Sequence, residues 1–422
     1  MYSSLANFIN KKFRIDAHYF LKGGFWLSLA QLVTIALGLI TTALFAYFLN
    51  ENDYGIYRYL VGLAALFSAF SLTGIGQAVL QTAAKKYYSF YSETLKINFI
   101  YSVGIFLGGS IGSIYYWLND NHTLSIGCLL IAVFQPLINT FQYTPSYLQG
   151  TGQFRKSTEI QSVRTVVSSL VSVLVLLLTQ NIIALFATFL ITSALASFVT
   201  HLWYSPLKAD PTPLKVKDQY ISYAKNSSLR NAVSSIAFRA DAIFIFTQLG
   251  AVELAVYSIA TLVPEQIKGS FKNLASLLLP KYSSHTNEKI LLGSVPRRSL
   301  QICAILLITT ILYVVIAPYF YNLFFPKYQS SILYSQIYAL AFPSFFALIP
   351  LTVIQSRLDE NALNRINNQN TFLSLFLVIL LTSFYGVMGA IIGKVLSRYI
   401  NAFYIYFKFH KINKAFSVSE KA

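Results

Sequence analysis

Long stretches without any charged residue are the feature that most constrains this chain. Residues 165–205 contain no Asp, Glu, Lys or Arg, and neither do residues 23–50. A helix needs about 20 apolar residues to cross the hydrocarbon core of a bilayer. The whole chain is 55% hydrophobic and only 11% charged, whereas soluble domains carry about 25% charged residues. The sequence therefore predicts an all-α polytopic membrane protein, with residues 165–205 long enough for two spans hinged near Gln180–Asn181.

The distribution of basic residues predicts the topology. The net charge is +17, and nearly all Lys and Arg lie between apolar stretches on alternate sides, as the positive-inside rule requires. This pattern predicts about 12 transmembrane helices with both termini in the cytoplasm. It places an inner loop at Arg155, Lys156 and Arg164, a basic inner loop over residues 281–298, and outer turns at residues 119–122 and 385–386. It also makes a nucleic-acid partner unnecessary. The first apolar run is too long for a signal peptide, and Cys128 and Cys303 fall inside spans, so we expect neither a disulfide nor a metal or other cofactor.

A proline- and lysine-rich segment divides the chain. It predicts an N-terminal six-helix lobe over residues 1–205, a cytoplasmic linker over 206–225, and a C-terminal six-helix lobe with a basic tail over 226–422. Residues 45–61 align without gaps to residues 245–261, so that Tyr57 corresponds to Tyr257. Repeats of the same polarity are related by an axis along the membrane normal. We therefore expect two pseudo-symmetric bundles around a central cleft.

Charged residues inside the predicted spans are the candidate site. Seven of them lie in three spans of the second half: Arg239, Asp241, Glu265, Lys268, Lys272, Lys394 and Arg398. A charge at mid-bilayer costs about 2.5–3.5 kcal/mol on insertion scales, and such residues usually face a bundle interior or a water-filled cavity. Pairing of Arg239 with Asp241, or of Glu265 with Lys268, is the structural alternative. It leaves an excess of positive charge, which indicates an anionic ligand.

These residues receive two candidate roles. The basic ones, together with Arg58 near the outer end of the second span, are candidates for substrate binding. The two acids are candidates for coupling to a proton or a cation. The histidines show no metal-ligand spacing, no Gly-rich phosphate loop is present, and the outer loops are short. The sequence therefore predicts a transporter without catalytic residues, and not an enzyme.

Four stretches carry a resemblance to a known family: LNENDYGIYRYL after the first span, RADAIFIFTQLGAVELAVYSIA across the seventh and eighth, the Pro280 that ends the eighth, and YGVMGAIIGKVLS entering the twelfth. The chain resembles polysaccharide flippases of the O-antigen or capsule type, within the multidrug/oligosaccharidyl-lipid/polysaccharide exporter superfamily.

The resemblance implies transport by alternating access in the bacterial inner membrane. The substrate would be an undecaprenyl-pyrophosphate-linked oligosaccharide used for lipopolysaccharide or capsule, with membrane lipid and the polysaccharide polymerase machinery as partners. Arg239, Lys268 and Arg398 would line a cationic cavity. Related murein-lipid flippases carry charged residues in the first span, and residues 23–50 have none. This difference favours an accessory surface glycan as the cargo.

Two other functions are open to such a chain. A multidrug or cation antiporter of the same superfamily would need acidic sites, whereas the charged residues here are mainly basic. A membrane glycan polymerase or transferase would need a large periplasmic loop or an outer acidic pair. Glu51 and Asp53 form the only such pair, and a solvated turn explains them better.

Overall fold

The computed structural model describes residues 17–205, 211–283, 288–356 and 360–419. Within these ranges the backbone consists of helices joined by short turns, and no β-strand occurs. Six helical segments precede residue 206 and six follow residue 210, when bent pairs count once and Glu360–Ser419 counts twice because it breaks at Gly386. The predicted all-α polytopic fold is confirmed.

The outer faces of the helices are apolar. Trp203 is 77% exposed, Leu118 76% and Leu178 73%. A soluble protein rarely exposes extended apolar surface, whereas a bilayer solvates it. Eight helical runs in the described residues are long and apolar enough to cross a membrane, and a bent pair makes nine. The two helices with the in-span charges at 239–241 and 265–272 are not among them, because those charges lower their hydropathy.

The chain divides into two compact units, Met1–Arg239 and Ala240–Ala422. The division falls inside a helix, Leu214–Leu249, so residues 214–225 of the predicted linker are helical. Residues 206–210 lie outside the described part. The three-part division at residues 205 and 226 stays a prediction.

Among the described residues, the first unit contains eight α-helices and the start of a ninth. They are α1 (Ala17–Phe48), α2 (Glu51–Phe67), α3 (Ile75–Ala84), α4 (Phe90–Leu118), α5 (His122–Phe141), α6 (Thr144–Gly150), α7 (Phe154–Thr179), α8 (Ile182–Tyr204) and α9 (Leu214–Leu249).

Local chemistry explains where these helices begin and end. The Asn50 side chain accepts a hydrogen bond of 2.7 Å from the backbone N–H of Asp53, which caps α2. Glu51 and Asp53 therefore belong to the first turn of α2, where acidic side chains suit the helix dipole. The structure thus places Glu51 and Asp53 inside a helix, and not in the turn that the sequence predicts. Gln180 takes a left-handed conformation with φ of 47° between α7 and α8, which confirms the predicted hinge.

The start of α9 belongs to the first unit through its packing. Tyr220 and Ala224 are buried against α3 and α4, beside Ile75 and Phe90. The backbone N–H of Gly74 donates a hydrogen bond of 2.8 Å to the Ser228 hydroxyl. A Cβ at Gly74 would lie 2.5 Å from the Ala224 carbonyl oxygen, so only glycine permits this approach.

In the part of the second unit that the structure describes, the end of α9 is followed by five further α-helices. They are α10 (Ala251–Ser283), α11 (Glu288–Phe324), α12 (Ser330–Ala339), α13 (Leu348–Ser356) and α14 (Glu360–Ser419). The predicted basic loop over residues 281–298 is wrong in extent, because α10 continues through Pro280 to Ser283 and α11 begins at Glu288.

Glycines explain the stretch YGVMGAIIGKVLS. Gly386 has φ of 58° and ψ of −140°, which breaks α14 into two arms, as the sequence predicts for Tyr385–Gly386. A Cβ at Gly389 would overlap the Leu381 carbonyl oxygen, and one at Gly393 would lie 2.9 Å from the Leu377 carbonyl oxygen. The two arms therefore pack backbone against backbone. This close packing holds the second arm, with Lys394 and Arg398, in place.

Candidate functional site

Glu265 on α10 is the centre of a charged cluster in the second unit. Its Oε2 accepts a hydrogen bond of 2.9 Å from Lys268 Nζ, and its Oε1 lies 2.5 Å from Arg398 Nη2. The Tyr338 hydroxyl also donates to Oε1. The Arg398 guanidinium lies over the Tyr338 ring, 4.5 Å from its centroid. Three helices, α10, α12 and α14, thus meet at one carboxylate.

Asp241 near the end of α9 forms a second cluster. It is 6% exposed. The Tyr257 hydroxyl donates a hydrogen bond of 2.6 Å to its Oδ2, and the Ala242 backbone N–H donates one of 2.8 Å to its Oδ1. Lys394 forms an ion pair with Oδ2, and its ammonium lies 5.5 Å from the centroid of the Tyr257 ring.

The two clusters change the expected charge balance. Glu265 and Lys268 form the salt bridge that was expected if these charges have a structural role. Asp241 forms an ion pair with Lys394, which the sequence did not predict. Each basic residue of these clusters therefore has an acidic neighbour. One hydrogen-bond donor of the clusters is still unsatisfied, because Arg398 Nη1 is buried and has no hydrogen-bond partner in the part of the chain that the structure describes.

Three other predicted site residues lie on α9, α10 and α2. Arg239 is partly buried on α9, at the end of the first unit. Lys272 falls on α10, but its side chain lies outside the described residues. Arg58, on α2, belongs to a different site in the first unit.

A cavity of about 520 Å³ lies within the first unit, between α1, α2, α7 and α8. Its charged lining residues, within the described ranges, are Arg58 and Arg164, and no carboxylate lines it. Eight Ser and Thr side chains line it as well: Thr34, Thr41, Thr42, Thr165, Ser168, Ser169, Ser172 and Ser193. The cavity therefore carries positive charge and several hydroxyl groups within a largely apolar wall.

The two arginines are held differently. Arg164 Nη2 donates a hydrogen bond of 2.8 Å to the Ser197 hydroxyl. Arg58 Nε is buried and finds no hydrogen-bond partner among the described residues. Buried donors of a charged group are normally satisfied, so Arg58 has hydrogen-bonding capacity left for a ligand.

This cavity was not predicted from the sequence. Internal charge was expected only in the second half of the chain, and Arg164 was expected in an inner loop. That assignment is wrong, because Arg164 lies well inside α7, an apolar helix of 26 residues. A signal was present: the polar residues at 161, 164, 165, 168, 169 and 172 recur at helical spacing.

The internal repeat relates the cavity to the Asp241 cluster. The correspondence of Tyr57 with Tyr257, continued at the same offset along the preceding helix, matches Thr41 with Asp241. In the second unit Asp241 forms an ion pair with Lys394. In the first unit Thr41 and Tyr57 line the cavity. The position that carries a paired charge in the second unit thus holds an uncharged hydroxyl side chain in the first.

Comparisons with known proteins agree with this architecture. The family model described as "Polysaccharide biosynthesis protein" matches residues 44–333. No curated protein sequence matches the chain significantly.

Solved structures share the fold at low sequence identity. The lipid II flippase MurJ in an inward closed conformation is 14% identical, with a TM-score of 0.71 over 90% of this chain and 86% of that one. A MOP superfamily transporter from Pyrococcus furiosus is 13% identical, with a TM-score of 0.59 over 93% and 96%. A multidrug resistance MATE family transporter in an outward-facing conformation is 13% identical, with a TM-score of 0.58 over 93% and 96%.

Proposed function

Because this chain belongs to the polysaccharide biosynthesis protein family, we propose that it is a flippase for lipid-linked oligosaccharides. It moves an undecaprenyl-pyrophosphate-linked unit from the cytoplasmic to the periplasmic leaflet, by alternating exposure to the two sides. The family match is the observation that carries this proposal. The fold shared with a lipid II flippase supports it, and such a protein acts as a transporter rather than as an enzyme.

Basic residues within the helices supply attraction for the pyrophosphate. Arg398 is the strongest candidate in the second unit, because Nη1 is buried without a partner among the described residues and a guanidinium can bind phosphate oxygens bidentately. Arg239 adds a second guanidinium group, and Lys268 and Lys394 each add an ammonium group that attracts phosphate as a point charge. Lys272 belongs to this set by its sequence position alone.

The cargo and location follow from the same chain. Residues 23–50 carry no charge, which supports an O-antigen or capsule unit as cargo and the matching polymerase as a partner. We place the protein in the bacterial inner membrane with both termini in the cytoplasm, as the basic segments favour.

Labelling of introduced cysteines tests this orientation. An impermeant thiol reagent should label the variant Asp120→Cys in intact cells and leave the variant Lys215→Cys unlabelled. The reverse pattern contradicts this orientation.

The antiporter alternative gains no support from the site. A cation antiporter needs a carboxylate that is open to its cation. The two acids that are candidates for coupling, Asp241 and Glu265, are both paired with basic side chains. The charge pattern favours an anionic cargo.

A charge-balanced variant tests the role of Arg398. The double variant Glu265→Gln and Arg398→Gln removes one charge of each sign, and the glutamine at position 265 still offers Lys268 a hydrogen-bond acceptor. If Arg398 attracts the substrate, surface glycan should fall at least tenfold in a strain that depends on this gene, while the amount of protein in the membrane stays normal. The Glu159→Gln and Arg155→Gln double variant is the matched control, since that pair is exposed on α7. Normal surface glycan in both variants contradicts the role of Arg398.

A further inference from the structure

Pro264 divides α10 between the two charged clusters of the second unit. The backbone is helical on both sides of it, but proline has no N–H and leaves the carbonyl of Ala260, one turn earlier, without its usual donor. Glu265 follows Pro264 directly, and Tyr257, the partner of Asp241, lies two turns before it. Helices bend most sharply at such interruptions. α10 can therefore bend at the point that separates the two clusters.

A hydroxyl group from α11 takes the place of the missing donor. Tyr321 is fully buried, and its hydroxyl lies 3.0 and 3.2 Å from the carbonyl oxygens of Ile259 and Ala260. From α12, the Ser331 hydroxyl donates a hydrogen bond of 3.0 Å to the Val256 carbonyl. In membranes, carbonyl groups that proline releases are commonly bonded by neighbouring helices in this way. These bonds fix the part of α10 that precedes the proline against α11 and α12.

The residues after the proline are packed less tightly than those before it. Residues 254–260 are all buried, whereas residues 265–269 are each partly exposed. In the part of the chain that the structure describes, a Cβ added at Gly269 would have no neighbour within 4 Å. The part of α10 that follows the proline therefore has space in which to move, while the preceding part is held.

α14 supplies a basic residue to each of the two clusters. Lys394 and Arg398 lie one turn apart on the same face of a continuous helical arm. Lys394 pairs with Asp241, which Tyr257 joins to the part of α10 before the proline. Arg398 pairs with Glu265, which follows the proline. A bend at the proline therefore separates Glu265 from Arg398 and leaves the other ion pair in place.

We propose that Pro264 is a hinge that controls whether Arg398 can bind the phosphate of the cargo. In this structure Glu265 binds Arg398 Nη2, and Nη1 lacks a partner among the described residues. A bend moves the carboxylate away, so that both nitrogens can bind oxygen atoms of one phosphate. The return of Glu265 displaces that phosphate and releases the cargo. Tyr321 is a positioning residue, because its hydroxyl fixes the part of α10 from which the bend starts. The role of Arg398 here rests on the proposed flippase function.

Hydrogen–deuterium exchange of the purified full-length protein in detergent measures the hinge without any cargo. Pro264→Ala supplies the missing N–H and a strong helix former, so the amides of residues 261–269 should exchange at least tenfold more slowly than in the wild type. Pro296→Ala is the matched control, because Pro296 also lies inside a helix of the second unit and is exposed. It should leave the exchange of residues 261–269 unchanged. Equal exchange in the wild type and Pro264→Ala overturns the proposal.

Two further variants separate a hinge from a packing role. Pro264→Gly also supplies the N–H, but glycine is smaller and more flexible than alanine. A hinge predicts faster exchange and more surface glycan with glycine than with alanine, and the reverse order of surface glycan overturns the proposal. Tyr321→Phe keeps the ring and loses the bonds to the α10 carbonyls, so exchange of residues 261–269 should rise severalfold. Tyr319→Phe is its control, since Tyr319 is 76% exposed. Equal exchange in these two variants contradicts the positioning role of Tyr321.

Surface glycan in a strain whose own copy of the gene is deleted tests what the hinge does. Pro264→Ala should lower surface glycan at least tenfold at a normal level of membrane protein, whereas Pro296→Ala should restore it fully. Slow exchange in Pro264→Ala together with normal surface glycan overturns the link between the hinge and the cargo. A deletion that leaves surface glycan intact contradicts the flippase function instead, and the exchange measurement still decides whether Pro264 is a hinge.

Discussion

Replacing Glu265 with alanine should remove most of the folded protein. Glu265 is the shared carboxylate for Lys268 and Arg398, whose side chains are only 17% and 14% exposed. Removing one partner of a buried ion pair costs about 3–5 kcal/mol, because the remaining charge stays buried without compensation. We expect a large drop in melting temperature and in the monodisperse fraction on size-exclusion chromatography in detergent.

Two further variants serve as the control and the rescue for Glu265→Ala. Glu159→Ala removes the carboxylate of an exposed pair, whose side chains are 68% and 50% exposed, and should cost less than about 1 kcal/mol. Adding Arg398→Gln to Glu265→Ala removes an orphaned cation and should recover part of the lost stability. Equal melting temperatures for Glu265→Ala and Glu159→Ala would show that the cluster does not stabilise the second unit.

Replacing Gly389 with alanine should disrupt the packing of the two arms of α14. The new Cβ would overlap the Leu381 carbonyl oxygen, and a backbone atom cannot rotate away as a side chain can. Overpacking of a core costs about 1–3 kcal/mol and occasionally more, and this backbone contact belongs at the upper end. We expect a lower melting temperature and less protein in the membrane.

Gly269→Ala on α10 is the matched control. Among the described residues, a Cβ at Gly269 meets nothing within 4 Å, and alanine favours a helix over glycine by about 1 kcal/mol. This variant should therefore be as stable as the wild type or more so. If Gly389→Ala is equally stable, the close approach of the two arms is not required for the fold.

Helical breaks were predictable from the sequence because their signals are local. Gln180–Asn181, residues 119–122 and Tyr385–Gly386 interrupt apolar stretches with polar or glycine residues, and the structure breaks its helices at each of them. The twelve segments of the described chain followed from apolar length together with the alternation of the basic residues between them. The basic loops were drawn too long, because charged residues at helix ends were counted as loop.

Partners across the fold were not predictable from the sequence. Arg398 and Glu265 are far apart in the chain, and only packing of α10 against α14 brings them together. The bridge from Glu265 to Lys268 was foreseeable because it lies within one helical turn. The cavity at Arg58 and Arg164 requires four helices, and treating Arg164 as a loop residue concealed it.

Transbilayer movement of a lipid-linked oligosaccharide in proteoliposomes tests whether this protein is a flippase. A fluorescent short-chain polyprenyl diphosphate oligosaccharide is placed in one leaflet, and its arrival in the other is measured with an impermeant quencher. We expect the wild-type protein to move the lipid-linked oligosaccharide between leaflets. The double variant Arg58→Gln and Arg164→Gln should move it no faster than protein-free liposomes do. Movement through the wild-type protein no faster than in protein-free liposomes would contradict the account.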